Sequence, residues 1–161
     1  MIKHEMAVES ATEAIIESIY EHLINSWNQT NARDFSDLFS ENGSMIGFDG
    51  SMANGRQEIH VHLSSIFADH IPAKFVSIVK EIRILSPSVG LLRAVVGMTQ
   101  PGQKQINPKT NAIQSLVIVN EMDHFRIALF QNTPAAFHGR PQLVEQLTEE
   151  LQQELQQKGI G

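Results

Sequence analysis

Hydrophobic residues recur at three- and four-residue steps near the start of the chain, a spacing that predicts an amphipathic helix. Ser10 and Glu13 stand at capping-box spacing, so the helix should begin there and run to about Gln29, after an unpatterned lead-in over residues 1–9. The stripe expected to face the core comprises Ile15, Ile16, Ile19, Tyr20, Leu23, Ile24 and Trp27.

A second, shorter helix is predicted from Asn31. It would turn Phe35, Leu38 and Phe39 inward, and the Glu41-Asn42-Gly43 run would end it.

A small hairpin and a third helix follow. Residues 44–48 form a short apolar segment, and Asp49-Gly50 is a dipeptide that favours a tight reversal. Asn54 and Gln57 again stand at capping spacing and predict a helix start. The inward face of that helix would carry Ile59, His62, Leu63, Ile66 and Phe67.

The second half of the chain is rich in β-branched residues separated by turn residues, which predicts strands. The connections after residues 85 and 120 are short, as between antiparallel neighbours, and we expect an antiparallel meander. The four long strands are predicted at 75–85, 89–98, 112–120 and 125–133.

Several of these strands are apolar at successive positions, so both faces of the sheet should be covered. The three preceding helices would cover one face and leave the convex face to a second subunit, which predicts a homodimer. A last helix is expected over residues 140–158, beginning near Pro141. Its stripe is Leu143, Leu147, Leu151 and Leu155. The whole chain, 1–161, is interpreted as a single domain.

Composition narrows the function classes. Hydrophobic residues make up 42% of the chain and charged residues 19%, as in a globular protein. The chain has no cysteine, which excludes disulfides and thiolate chemistry and favours a cytoplasmic location. The net charge of −6 opposes binding to a phosphate backbone, so no nucleic acid partner is expected. Neither a membrane-spanning segment nor a secretory signal is expected.

The order helix, helix, hairpin, helix, four strands resembles the nuclear transport factor 2-like superfamily, which includes SnoaL-like cyclases and ketosteroid isomerases. Motifs over residues 10–155 make the chain most similar to the SgcJ/EcaC group. These are Phe48-Asp49-Gly50, Gly55-Arg56, Glu58-Ile59, His62, Ile66-Phe67, Gln131-Asn132-Thr133-Pro134 and Phe137-His138-Gly139-Arg140-Pro141. The resemblance implies an α+β, cone-shaped, cystatin-like fold that is usually dimeric and encloses a pocket. It does not decide the reaction, because superfamily members include isomerases, dehydratases, epoxide hydrolases, cyclases and non-catalytic binders.

The resemblance to ketosteroid isomerases shows which positions of this chain would have to carry the residues for steroid isomerisation. Those enzymes need an Asp base together with a Tyr and a protonated Asp that bind the oxyanion. The matching positions here are Ile46, Leu23 and Val117, none of which can transfer a proton. Steroid-isomerase chemistry is therefore not expected.

The same placement of Val117 in the pocket predicts a hydrophobic lining. Because side chains alternate along a strand, Ser115 should lie on the same face as Val117. Phe130 and Asn132 of the next strand should also face the pocket. The residues expected to bind a ligand are Trp27, Phe39, Met45, Phe48, His62, Ser115, Val117, Phe130 and Asn132. The aromatic residues among them could equally be ordinary core, and Asn132 could equally satisfy backbone groups at a strand end.

His62 and Asp49 are the candidate catalytic residues. His62 can act as acid or base near neutral pH, although a histidine on an apolar helix face is commonly a core residue. Asp49 could be a general base, although Asp-Gly is first a turn signal. His60 and His62 lie about 200° apart around a helix, so no metal site is expected. No glycine-rich dinucleotide motif is present, and no cofactor is expected.

Two functions remain open at this point. The first is a pocket protein for a compact, mostly apolar or polyketide-like small molecule, with isomerase, cyclase or dehydratase activity as an option. The second is a non-catalytic dimeric interaction module whose interior is only core and whose glutamine-rich last helix contacts a partner.

Overall fold

The structure, a computed structural model, describes residues 2–158. Four helices and six strands make up this part of the chain. In order they are α1 (Ile2–Asn28), α2 (Ala32–Asp37), β1 (Phe39–Ile46), β2 (Met52–Asn54), α3 (Arg56–Asp69), β3 (Lys74–Ser86), β4 (Val89–Thr99), β5 (Ala112–Glu121), β6 (His124–Pro134) and α4 (Pro141–Lys158). A single 3-10 turn, Pro108–Thr110, precedes β5.

All six strands form one sheet in the order β2-β1-β6-β5-β4-β3. Strands β3 to β6 form the predicted antiparallel meander, and the predicted hairpin is present as β1 and β2. The sequence pattern did not indicate that β1 also pairs in parallel with β6, for example Met45 beside Phe130. This pairing extends the meander of four strands into a mixed sheet of six.

The two faces of the sheet carry separate cores. The inner face packs against α1, α2 and α3 around Tyr20, Leu23, Phe35, Leu92 and Leu116. The outer face packs against α4 through Leu147, Leu151 and Leu155, at the end of the sheet that carries Val76 and Ile113. The fold is therefore a cone-like α+β arrangement with helices on both sides of a six-stranded sheet.

This coverage corrects the expectation that helices cover only one face. The leucine stripe of α4 is buried on the outer face of the meander. Helix α4 is anchored there by polar bonds as well, since Gln152 Oε1 accepts a 2.9 Å hydrogen bond from the backbone N–H of Ile106. Because α4 covers one end only, the outer face remains partly exposed around Leu91 and Val117.

The expected start of the first helix is also wrong. Helix α1 already begins at Ile2, and Ser10 and Glu13 lie inside it. Residues 2–9 contain no Gly or Pro and are mostly strong helix formers, so the helix extends through a segment with no apolar stripe. Of the lead-in predicted over residues 1–9, only residue 1 lies outside the described residues.

Two internal boundaries differ for tertiary reasons. Helix α2 does begin after Asn31, which caps Asp34 N–H at 3.0 Å, but Phe39 belongs to β1 because it pairs with Ile127 of β6. Helix α3 is capped by Gly55 rather than Asn54. The side-chain oxygen Oδ1 of Asn54 instead accepts a 3.1 Å hydrogen bond from the Ser44 hydroxyl across the hairpin.

No helix within residues 2–158 is long and apolar enough to cross a membrane.

Candidate functional site

A cavity of about 360 Å³ lies between the inner face of the sheet, the end of α1, helix α3 and the β1–β2 loop. Its size falls in the range of small-molecule sites. It is lined by Trp27, Phe35, Met45, Gly47, Phe48, Asp49, Ser51, His62, Ile66, Phe75, Met98, Thr110, Ala112, Phe130 and Asn132.

Aromatic rings in mutual contact form part of the wall. The ring centroid of Trp27 lies 5.1 Å from that of Phe75 and 5.5 Å from that of Phe67. Phe35 packs edge-on against Phe130 at 6.1 Å. The indole nitrogen of Trp27 donates a 2.9 Å hydrogen bond to the carbonyl of Ala73, so its polar edge is satisfied outside the cavity. The ring therefore presents an apolar surface to the cavity.

Two titratable groups lie where the cavity opens. His62 is half-buried on α3, and Asp49 is exposed in the β1–β2 loop. The backbone N–H of Ser51 donates to Asp49 Oδ1 at 2.9 Å. This bond lowers the pKa of the Asp49 carboxyl, with smaller contributions from the Ser51 hydroxyl and from the charge of nearby His62. The opening thus combines a carboxylate with a group that can transfer protons near neutral pH.

A chain of polar side chains crosses the inner core and ends at the cavity. Tyr20 Oη donates to Gln114 Oε1 at 2.6 Å, and Gln114 Nε2 donates to Asn132 Oδ1 at 2.9 Å. Asn132 Nδ2 in turn donates to the backbone carbonyl of Ile46 at 3.0 Å. Burial raises the pKa of the Tyr20 hydroxyl, which keeps it neutral. Because Asn132 also lines the cavity, these bonds fix the orientation of its amide at the wall.

Most of the expected ligand-binding residues come together here. Trp27, Met45, Phe48, His62, Phe130 and Asn132 all line the cavity, as does Asp49. Phe39 does not; it is fully buried behind Phe35, with ring centroids 5.7 Å apart. Phe39 is the first residue of β1, and its ring lies in the core behind the cavity wall rather than at the wall as expected.

Ser115 and Val117 lie on the opposite, outer face of β5, contrary to expectation. The fully buried inner residues of this strand are Gln114, Leu116 and Ile118. The register pairs Gln114 with Asn132 and Leu116 with Phe130, so the inner set is displaced by one position from the expected one. A slip of one residue exchanges the two faces of a strand.

The same slip affects the comparison with ketosteroid isomerases. Leu23 is fully buried in the inner core, but Val117 faces outward. On the inner face, Met45 lies next to Ile46 in β1, and Leu116 lies next to Val117 in β5. Met45 and Leu116 also lack a group that can transfer a proton.

The inner polar residues, Tyr20 and Gln114, were missed as site residues. A single Gln in the apolar run of β5 was the signal that could have found Gln114.

Among residues 2–158 no cluster of three or more His, Cys, Asp or Glu side chains is placed to hold a metal ion. What the arrangement offers chemically is an apolar cavity, an oriented amide at its wall, and His62 with Asp49 at its opening.

The chain matches no protein-family model. No curated protein is similar to it in sequence.

Solved structures are similar to it in fold. A domain of unknown function with a cystatin-like fold from Nostoc punctiforme superposes with a TM-score of 0.72 at 23% identity, over 94% of this chain and 93% of that one. A provisionally named scytalone dehydratase from Novosphingobium aromaticivorans gives 0.67 at 12% identity, over 81% and 88%. An NTF-2-like protein of unknown function from Shewanella oneidensis gives 0.57 at 14%, over 73% and 95%.

These likenesses concern the fold, because all three identities lie below 25%. They confirm the expected fold class, while assignment to the SgcJ/EcaC group stays a prediction. The chain therefore has a cone-shaped fold of the cystatin-like, NTF-2-like kind.

Proposed function

We propose that this protein binds a compact, mostly apolar small molecule, such as a polyketide-like ring compound, in the inner cavity. The observation that carries the proposal is the lining itself. Aromatic and aliphatic side chains surround about 360 Å³, and a few polar groups, Asn132 and His62 among them, are placed where they can orient a ligand. A similar fold in a provisionally named scytalone dehydratase is consistent with a small-molecule site.

Any reaction in this cavity would use the groups at its opening. His62 carries an imidazole, a group that commonly transfers protons near neutral pH, and the Asp49 carboxylate also lines the cavity. Proton-transfer reactions of an apolar ligand, such as isomerisation, cyclisation or dehydration, match these groups. Binding does not depend on this chemistry and can be tested separately.

A thermal-shift screen with small apolar ketones, phenols and terpenoids tests the binding proposal. A ligand at 100 times its Kd stabilises the folded state by about 2.7 kcal/mol, which raises the melting temperature measurably. Ala112→Leu adds bulk at the cavity wall and should remove the shift. Ser115→Leu adds the same bulk on the outer face of the same strand and should retain it. If no ligand raises the melting temperature of the wild type, the proposal fails.

We also propose that two copies pair through the exposed part of the outer face, the convex surface not covered by α4. Leu91, Val117 and Leu129 are direct neighbours in the register of β4, β5 and β6 and form an apolar row across three strands. The row is bordered by Arg93, which bonds Glu81 at 2.9 Å, and by Gln131. An apolar centre with a polar border is the usual anatomy of a subunit interface.

Sedimentation equilibrium tests the pairing. The wild type should have twice the chain mass at micromolar concentration, and Val117→Lys should convert it to a monomer. Val61→Lys is the matched control, because Val61 is 58% exposed on α3, away from the outer face. A wild type that stays monomeric at high concentration would refute the dimer.

A further inference from the structure

The hydrogen-bond chain from Tyr20 to Ile46 has a direction that the side chains cannot reverse. Its last acceptor is the backbone carbonyl of Ile46, which can only accept. Asn132 must therefore turn its NH₂ group toward Ile46 and its carbonyl oxygen toward Gln114. That oxygen takes the Gln114 NH₂, which leaves the Gln114 oxygen to accept from Tyr20.

Tyr20 fixes the opposite end of the chain. Its side chain is 1% exposed and that of Gln114 is fully buried, so water cannot replace either partner. The buried hydroxyl stays protonated because its pKa is raised by burial, and it therefore remains a donor at neutral pH. The carbonyl of Ile46 sets the direction of the two amides, and the Tyr20 hydroxyl donates in accordance with it.

The carbonyl oxygen of Asn132 accepts from Gln114, and one of its two N–H groups donates to Ile46. Within residues 2–158 the second N–H of Asn132 has no hydrogen-bond partner, and Asn132 lines the cavity. A bound ligand displaces water from the apolar wall, so a donor that the ligand does not pair would be left buried without a partner, at a cost in free energy. A ligand with an acceptor oxygen avoids this cost.

We propose that Asn132 is a specificity residue that donates a hydrogen bond to a ligand oxygen, and that Gln114 and Tyr20 are positioning residues that hold its amide in the donating orientation. This inference rests on the proposed binding function and narrows it. The preferred ligands are compact ring compounds that carry a carbonyl or another acceptor oxygen, and matching hydrocarbons are bound less well.

A matched ligand pair tests the preference. 1-Tetralone and tetralin have the same bicyclic skeleton and differ by one carbonyl group. Isothermal titration should give a Kd for 1-tetralone that is about three- to tenfold lower than that for tetralin, as one neutral hydrogen bond provides. The ratio of the two constants is the readout, because a change in general stability would not alter it.

Variants separate the roles. Asn132→Leu should bring the ratio close to one. Tyr20→Phe keeps the ring but leaves the buried Gln114 oxygen without its donor, so the two amides are held less firmly and the ratio should fall between that of the wild type and that of Asn132→Leu. Ser115→Ala, on the outer face of the same strand as Gln114, should leave the wild-type ratio unchanged.

A measurement on the unmodified protein covers the case in which a variant does not fold. In the ¹⁵N-labelled wild type, 1-tetralone should shift one side-chain NH₂ proton of Asn132 downfield, and tetralin should not. Equal affinity for the two ligands, or no shift of the Asn132 amide, overturns the specificity role while the cavity still binds. Absence of binding for both ligands refutes the proposed binding function and this inference together.

Discussion

The Trp27 indole nitrogen, on the last turn of α1, donates a 2.9 Å hydrogen bond to the backbone carbonyl of Ala73, just before β3. The next residue, Asn28, brackets Phe75 with two further bonds, accepting from its N–H at 2.8 Å and donating to its carbonyl at 3.1 Å. These three contacts join the end of the first helix to the start of the first long strand. They hold the Trp27 ring at the cavity wall.

Trp27→Phe should destabilise the fold. The substitution removes the bond to Ala73 and leaves space beside Phe67 and Phe75, for which we expect a loss of about 1–3 kcal/mol in the free energy of unfolding. Urea denaturation followed by circular dichroism measures it. A stability equal to that of the wild type would show that the bond to Ala73 does not hold the ring.

Gln114→Leu should also be destabilising, although it adds an apolar residue to the core. It leaves the buried Tyr20 hydroxyl and the Asn132 amide without their partner, and an unpaired buried polar group costs about 1–3 kcal/mol. Ser115→Ala, one residue away on the outer face, should change stability by less than about 0.5 kcal/mol. Chemical denaturation of both variants gives the comparison, and equal effects would contradict the buried chain.

Gly90 lies under Ile16, and the two should show coupling in a double-mutant cycle. A Cβ atom at position 90 would overlap the Ile16 Cδ1 atom, in a core where Ile16 is fully buried. Gly90→Ala alone should cost about 1–3 kcal/mol by overpacking. Ile16→Val removes the overlapping methyl group, so the double variant should be more stable than the sum of the two single effects. Strict additivity would show that the two residues do not pack together.

Asp49 should contribute to the pH dependence of stability. The Ser51 bonds lower its pKa in the folded state, so the carboxylate stabilises the fold above the unfolded-state value of about 3.9 and loses this contribution as pH falls through the folded value. A carboxyl ¹³C titration should give a midpoint below that of a model peptide. Ser51→Ala, which keeps the backbone N–H, should raise the midpoint only part of the way. A midpoint at or above the peptide value would contradict the bond to Ser51.

The long strands and the amphipathic helices were predictable because their signals are local. The strands predicted at 75–85 and 112–120 match β3 and β5 within one residue at each end. Helix α1 was recognised from its apolar stripe, while its first eight residues were missed because they carry no such stripe.

The face of β5 was not predictable from its own residues. Ile113, which packs in the α4 cluster, and Val117 are as apolar as Leu116 and Ile118 on the other face. The period-two signal that assigns a strand face is therefore weak, and the placement of Ser115 and Val117 failed. The parallel pairing of β1 with β6 joins segments about 80 residues apart and has no local signal either.

The fluorescence of Trp27 provides the most direct test of the central claim that the inner cavity is a binding site. Trp27 is the only tryptophan in the chain and it lines the cavity. Titration with 1-tetralone should produce a saturable change in its emission that tetralin reverses by competition. Free N-acetyltryptophanamide, titrated in parallel, corrects for absorption by the ligand. A change that stays linear with ligand concentration and equals that of the free indole would contradict the claim.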